Sequence, residues 1–87
     1  MWLFTKYGFF SVVCARQGDG AYGNLVDTGR MMVRARASKH LENLKARFPE
    51  QLGGCEIKKT EHTDYACRLF VEKSVWVTIA AELAEET

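Results

Sequence analysis

The 87-residue sequence carries almost no net charge. Twelve Lys and Arg residues nearly balance eleven Asp and Glu residues, which leaves +1 when His is neutral. A balance this even gives no overall indication of nucleic acid or membrane as a partner. The charges are unevenly distributed, because residues 1–47 hold eight cations against three anions and residues 48–87 hold four against eight. We interpret this asymmetry as two solvated faces of opposite sign, with a site for an anionic ligand as the alternative.

Cysteine is scarce, and its three copies are Cys14, Cys55 and Cys67. An odd number at irregular spacing gives no disulfide framework that uses all of them, so we predict a reduced, cytoplasmic setting. Long apolar runs are missing as well, since no stretch approaches the ~20 residues that cross a bilayer. The sequence therefore predicts no membrane partner.

Clusters of metal-ligating and nucleotide-binding residues are also lacking. Cys55, His62, Asp64 and Cys67 lack the closely spaced cysteine pair that is usual in zinc sites. A hairpin centred on Thr63 places Cys67 opposite Lys59, about 13 Å along the strand from Cys55, so no metal site is predicted. Residues 18–23 (GDGAYG) match G-x-G-x-x-G. The residues after them are too few and too turn-prone for the helix that holds a pyrophosphate, so we interpret the match as chance. We expect no cofactor.

Nucleophilic catalysis lacks a base beside its nucleophile. Cys14 and Cys67 lie in apolar, strand-like sequence and have the character of small buried hydrophobic residues. His62 and Asp64 lie within reach of each other in a predicted turn, with no nucleophile placed beside them. The preferred interpretation is non-enzymatic, and a small enzyme that uses His62 and Asp64 or a cysteine is an alternative.

Aromatic side chains, by contrast, are concentrated at the N-terminus. Five of the ten lie in the first ten positions, and they are Trp2, Phe4, Tyr7, Phe9 and Phe10. Aromatic and β-branched side chains at this density are typical of a strand. Residues 2–16 therefore predict one long strand or a tight hairpin bent near residues 6–8, with aromatic rings on both faces.

Alternation of apolar and polar residues predicts two further strands, 30–37 and 65–72. Each is followed by residues with helical spacing, for which Ser38 and Ser74 are the predicted N-caps. Pro49 ends the first of these helices. The inward-facing positions predicted for strands and helices are Met31, Val33, Ala35, Leu41, Leu44, Phe48, Cys67, Leu69, Val71, Trp76, Ile79 and Leu83.

These elements predict a single α+β domain over residues 1–87. The βαββα order from residue 30 lacks one strand of the ferredoxin-like motif, and the N-terminal strand supplies it. We predict a ferredoxin-like two-layer sandwich, with two helices on one face of a four-stranded antiparallel sheet. Residues 55–61 are predicted to form a polar strand at the edge of the sheet, where Lys58 and Lys59 discourage pairing with another strand. The predicted strand order is 9–16, 30–37, 65–72, 55–61. The last helix has no stop signal, so we expect the natural chain to continue past Thr87 or to be truncated in that helix.

Two segments resemble a group of known sequences. The opening MWLFTKYGFFSVV (residues 1–13) and the later Val33-Arg34-Ala35-Arg36 are similar to short, uncharacterised bacterial proteins that start M-W-[LI]-F-T-K-x-G-F-[FY]-S-V-V. The resemblance covers most of the chain and implies a bacterial protein. It implies no activity and no functional residue, because no activity is assigned to that group.

The sheet face opposite the helices gives the strongest functional indication. Arg34, Arg36, Arg68 and Phe70 are predicted there, and arginines beside an aromatic ring can bind phosphates while a base stacks on the ring. The sequence has no RNP1 pattern of the RNA-recognition domains. We therefore expect a non-enzymatic module that forms a homo-oligomer, a dimer, or binds a protein partner through this face. Binding of nucleic acid or another anionic ligand by the same residues is the alternative.

Overall fold

The computed structural model describes residues 1–18, 23–60 and 63–86. In chain order its elements are β1 (Trp2–Thr5), β2 (Gly8–Arg16), β3 (Val26–Ala35), α1 (Ser38–Arg47), α2 (Pro49–Leu52), β4 (Lys58–Lys59), β5 (Cys67–Glu72) and α3 (Lys73–Glu86). The strands form one antiparallel sheet in the order β1-β2-β3-β5-β4. The α+β class is therefore confirmed, and the strands near the predicted positions follow the predicted order.

The prediction of four strands is wrong, because the N-terminal segment is a hairpin that contributes two. β1 and β2 pair from Trp2 opposite Ser11 to Thr5 opposite Gly8. The turn is fixed by Thr5, whose hydroxyl donates to the Gly8 carbonyl at 3.0 Å and accepts from the Tyr7 N–H at 3.1 Å. Gly8 has a φ of 147°, and a Cβ there would overlap the His40 ring. Glycine is therefore required where the hairpin meets α1.

Strand boundaries also differ from those predicted. β3 begins at Val26 rather than residue 30, because Val26 and Asp27 pair with Arg16 and Ala15 beyond a register shift. β5 begins at Cys67 rather than residue 65. Of the predicted strand 55–61, residue 61 lies outside the described residues, and within residues 55–60 only Lys58–Lys59 form a strand. The same polar side chains that predicted an edge strand give it little to bury.

Both predicted N-caps are wrong. Ser38 is the first residue of α1, and the extended residue before it is Ala37, which makes no side-chain cap. α3 begins at Lys73, so Ser74 lies inside its first turn and accepts a hydrogen bond from the Thr78 hydroxyl. Pro49 does end α1, but it also opens α2, because proline needs no N–H in the first turn of a helix. The helices in the described part of the chain therefore number three rather than two.

One face of the sheet, which we call the inner face, carries the core. Every predicted core position is buried except Met31, which is half-buried and packs against the same cluster. Three further side chains complete the core, and they are Phe10, Val12 and Leu52. Burial of each large apolar side chain contributes about 1.5–3 kcal/mol, so this cluster of strand and helix residues holds the two layers together.

An ion-pair cluster ties the helices to the hairpin turn. Arg47 of α1 contacts Glu82 at 3.0 Å and Glu86 at 2.6 Å, both on α3. The Tyr7 hydroxyl donates to Glu86 at 2.8 Å. Hydrogen bonds from Tyr7 and then from Arg47 hold the pKa of the Glu86 carboxyl below its ordinary value. The cluster lies in the helix layer, where its charges join α1, α3 and the hairpin turn to one another.

Candidate functional site

The opposite face of the sheet, which we call the outer face, carries the cations and rings that the core excludes. Strand alternation places Arg34 and Arg68 there as neighbours on β3 and β5. A single row of partnered residues crosses all five strands, from Trp2 through Ser11, Arg34 and Arg68 to Lys58. The row joins two regions of different chemistry on this face, one toward edge strand β1 and one toward edge strand β4.

The first region is an aromatic corner, formed by Trp2, Phe4, Phe9 and Tyr65. The Phe4 and Phe9 rings, opposite each other on β1 and β2, lie 4.5 Å apart between centroids. Trp2 meets Phe9 edge-on at 6.4 Å, and Tyr65 lies 6.3 Å from Phe9 on the other side. Trp2 is 72 % and Phe4 76 % exposed. The corner therefore offers large apolar rings to solvent beside rings that are already packed.

Two arginines of the outer face contact the Phe9 and Tyr65 rings of the aromatic corner. The Arg34 guanidinium lies 4.8 Å from the Tyr65 ring centre, and Arg36 lies 5.7 Å from Tyr65 and 5.8 Å from Phe9. Arg34 also donates to the Ser11 hydroxyl at 2.6 Å, which accounts for a buried serine on this face. Cation–π contacts of this kind contribute about 0.5–1 kcal/mol each at exposed sites. They fix the rings in place before any ligand binds.

The second region is a basic groove, formed by Arg16, Arg30, Lys58, Lys59 and Arg68. It encloses about 410 Å³, and no acidic side chain is among its described lining residues. Phe70 forms part of its wall, with the Arg30 guanidinium 5.0 Å and the Lys58 ammonium 5.7 Å from the ring centre. The groove therefore presents converging positive charge over an apolar surface.

Arg68 connects the groove to the aromatic corner. One of its terminal nitrogens lies 3.9 Å from the Met32 sulfur and the other donates to the Tyr65 carbonyl at 3.4 Å, both weak contacts. The Nε atoms of Arg34 and Arg68 are buried and have no hydrogen-bond partner within the described ranges. Each of these buried Nε donors therefore carries a desolvation cost that no hydrogen bond within those ranges offsets.

Among the described residues, few acidic side chains lie around these two regions. Asp64 lies beside Tyr65, Arg34 and Arg68 in a shallow depression. Asp27 contacts Arg30 at 4.0 Å, and both side chains are partly exposed. Glu72 is paired with Arg30 by strand register but is exposed. The cations of the outer face are therefore only partly neutralised.

The residues predicted for the site all lie on or beside the outer face. The structure divides them: Arg34 and Arg36 lie at the aromatic corner, whereas Arg68 and Phe70 lie at the basic groove. Sequence reasoning missed the other cations of the groove, Arg16 and Arg30, and treated Lys58 and Lys59 only as edge protection. The alternation of residues 30, 32, 34 and 36 could have identified Arg30, because every second residue of a strand lies on the same face of the sheet.

The three cysteines are free and separated. Cys67 is buried on the inner face, opposite Lys59 as the hairpin prediction required. Cys14 and Cys55 are half-buried. Within residues 1–18, 23–60 and 63–86 no three His, Cys, Asp or Glu side chains gather closely enough to hold a metal ion. His62, which the alternative enzymatic interpretation uses, lies outside the described residues. Residues 19–22, the centre of the G-x-G-x-x-G match, also lie outside them.

Comparison with protein-family models, with curated proteins and with solved structures found nothing that matches this chain. Among the helices that the structure describes, none is both long enough and apolar enough to cross a membrane. The outer face itself therefore carries the indications of function.

Proposed function

We propose that the outer face of the sheet binds single-stranded nucleic acid. The observation that supports this is the row from Trp2 to Lys58, which leads from the aromatic corner into the basic groove on one open surface. Proteins that bind single strands combine the same two parts, aromatic rings on which bases stack and a cationic groove that follows the backbone. The predicted ferredoxin-like core, cytoplasmic location, bacterial origin and non-enzymatic character are kept as part of this proposal.

Bases are assigned to the aromatic corner. Trp2 and Phe4 have most of their ring surface in solvent, while Phe9 and Tyr65 are held behind them by Arg36. A base that stacks on Trp2 or Phe4 meets a surface that needs little reordering, and stacking contributes about 1–3 kcal/mol per base. Stacking tolerates any base, so we expect weak sequence preference.

Phosphates are assigned to the basic groove. Arg30 and Arg68 offer planar guanidinium groups, and Lys58 offers an ammonium group on the neighbouring strand. Neighbouring strands lie about 4.8 Å apart, so the path from β1 to β4 is about 19 Å, the length of a few nucleotides. Counterion release from those phosphates makes such binding fall steeply with salt.

Self-association through the same face, the function expected first from the sequence, is the second candidate. The exposure of Trp2 and Phe4 favours it. The charges oppose the face-to-face register in which the groove cations Arg30, Lys58 and Arg68 lie against their own equivalents. Like charges in close juxtaposition cost several kcal/mol, so the charges favour a polyanion as the occupant of this face.

Titration of a short fluorescent oligothymidylate by anisotropy tests the proposal. We expect saturable binding at low salt that weakens linearly on a logarithmic salt scale. Arg30→Ala and Arg68→Ala should each reduce the salt slope by about 1, and Phe4→Ala should weaken binding about 5- to 150-fold through lost stacking, with little change in slope.

Lys39→Ala and Lys73→Ala are the matched controls, because each removes one exposed cation from the helix layer rather than the outer face. They should leave affinity and slope close to those of the unmodified chain. Absence of binding at low salt would refute the proposal, as would equal losses from the control and groove substitutions.

A further inference from the structure

The two edges of the sheet are protected very differently. β4 is two residues long and both are lysines, a length and charge that discourage pairing with another strand. β1 has four residues, Trp2 to Thr5, with neither a charge nor a proline among them. Uncharged, apolar edge strands are templates for a further strand. The unprotected edge is therefore β1.

The hydrogen-bond phase of the hairpin shows which backbone groups of β1 face outward. Met1 and Val12 exchange hydrogen bonds at 2.6 and 2.8 Å. Bonded and non-bonded pairs alternate along an antiparallel ladder, so Leu3 and Thr5 also bond toward β2. The N–H and C=O groups of Trp2 and Phe4 point to the open side of the strand.

We propose that β1 pairs with β1 of a second copy of this chain, antiparallel, about a two-fold axis at Leu3. In this register Trp2 pairs with Phe4 of the partner subunit, and Phe4 pairs with Trp2 of the partner subunit. The outward donors and acceptors of both strands are then satisfied by each other. The two sheets become one continuous sheet with a shared outer face.

The side chains of β1 favour a second copy of this chain as the partner that pairs with its open edge. Trp2 and Phe4 are on the outer side of β1, so this register sets each ring beside an aromatic ring across the axis, a favourable cross-strand pair. β1 brings no charge to the axis. The basic groove is built on β3, β4 and β5 and on the far end of β2, so the repulsion that opposes face-to-face pairing does not arise.

The edge pairing is independent of nucleic-acid binding and compatible with it. It places the two aromatic corners together at the centre of the joined outer face, with one basic groove toward each end. Ring faces stay on the open surface, so a single strand can pass from one groove over both corners. A protein that pairs in this way is a dimer at high salt as well as at low salt, because backbone hydrogen bonds and apolar rings join it.

Replacement of Phe4 by proline or by alanine separates edge pairing from loss of the ring. Phe4→Pro and Phe4→Ala both remove the ring, but only proline removes the outward N–H and blocks the edge, with no bond to β2 lost. By light scattering at high protein concentration we expect twice the chain mass for the unmodified protein, a weakened dimer for Phe4→Ala and a monomer for Phe4→Pro. A dimer that persists in folded Phe4→Pro, or a monomeric unmodified protein at every concentration, would overturn the proposal.

Amide hydrogen exchange of the unmodified chain decides the matter if Phe4→Pro does not fold. Leu3 and Thr5 bond within the hairpin, so their amides should be protected at every concentration. The Trp2 and Phe4 amides should be protected only at concentrations where the dimer forms, and should lose protection on dilution. Free exchange of Trp2 and Phe4 in a sample of dimer mass would place the interface elsewhere and contradict the proposal.

Discussion

The inner and outer faces of this sheet are built from alternate residues of the same strands, yet one face packs into the core and the other exposes cations and aromatic rings to solvent. Val33 and Leu69 have no exposed surface and pack beneath the helices. Their chain neighbours Arg34 and Arg68 lie on the open side with aromatic rings. Core packing and the proposed binding surface are therefore separated by a single residue along the strand, because successive side chains of a strand point to opposite faces.

Truncation of two neighbouring residues on β5 tests this separation of the two faces. Leu69→Ala should lower the free energy of unfolding by about 2–5 kcal/mol, because it opens a cavity in a fully buried site. Arg68→Ala should lower it by about 1 kcal/mol or less. Urea unfolding followed by circular dichroism measures both. Similar losses for the two variants would mean that the faces are not separate in function.

Gly8 tests the place where the hairpin is joined to the helix layer. Gly8→Ala should lower the free energy of unfolding by about 1–3 kcal/mol, because the new Cβ overlaps His40 and the backbone has a positive φ. Gly54→Ala is the control, since nothing lies near a Cβ there, and it should change stability little. Thermal unfolding compares them. A neutral Gly8→Ala would show that the hairpin does not approach α1 as described.

The smallest expected effect concerns the acid Glu86 of the ion-pair cluster. Its pKa is lower in the folded chain than the ordinary 4.5, so its charged form stabilises the fold above that pH, and this contribution is lost as pH falls through the folded-state pKa. Glu86→Gln should therefore be slightly less stable near neutrality and approach the unmodified chain in acid. Unfolding measured across pH checks the convergence. A constant gap would assign the effect to packing instead.

Local alternation accounts for what the sequence predicted well. The inner positions of residues 31–37 and 65–72 follow directly from period two, and so does the placement of Arg34 and Arg68 on the other side. The pairing of Cys67 with Lys59 followed from centring the hairpin near Thr63. These features depend on one strand or on two strands close in sequence, where few geometries compete.

Features that depend on distant parts of the chain were not predictable. Arg16 enters the groove because β3 starts early and pairs beyond a register shift, which no local pattern signals. The sequence did not decide which side chains of the N-terminal strand face the core. In the structure Phe10 lies in the core and contacts His40 of α1. Ser38 fits a capping rule, but the extended backbone before the helix falls on Ala37, and tertiary packing decides such one-residue shifts.

Emission from Trp2 shows whether bases stack on the aromatic corner. Trp2 is 72 % exposed and Trp76 only 3 %, so a stacking ligand changes the emission of Trp2 alone, and Trp2→Phe keeps a ring while removing that signal. We expect saturable quenching by oligothymidylate at low salt, its loss at high salt, and its absence in Trp2→Phe. Inorganic polyphosphate should displace the oligonucleotide without quenching. An oligonucleotide that leaves Trp2 emission unchanged at low salt would contradict the account.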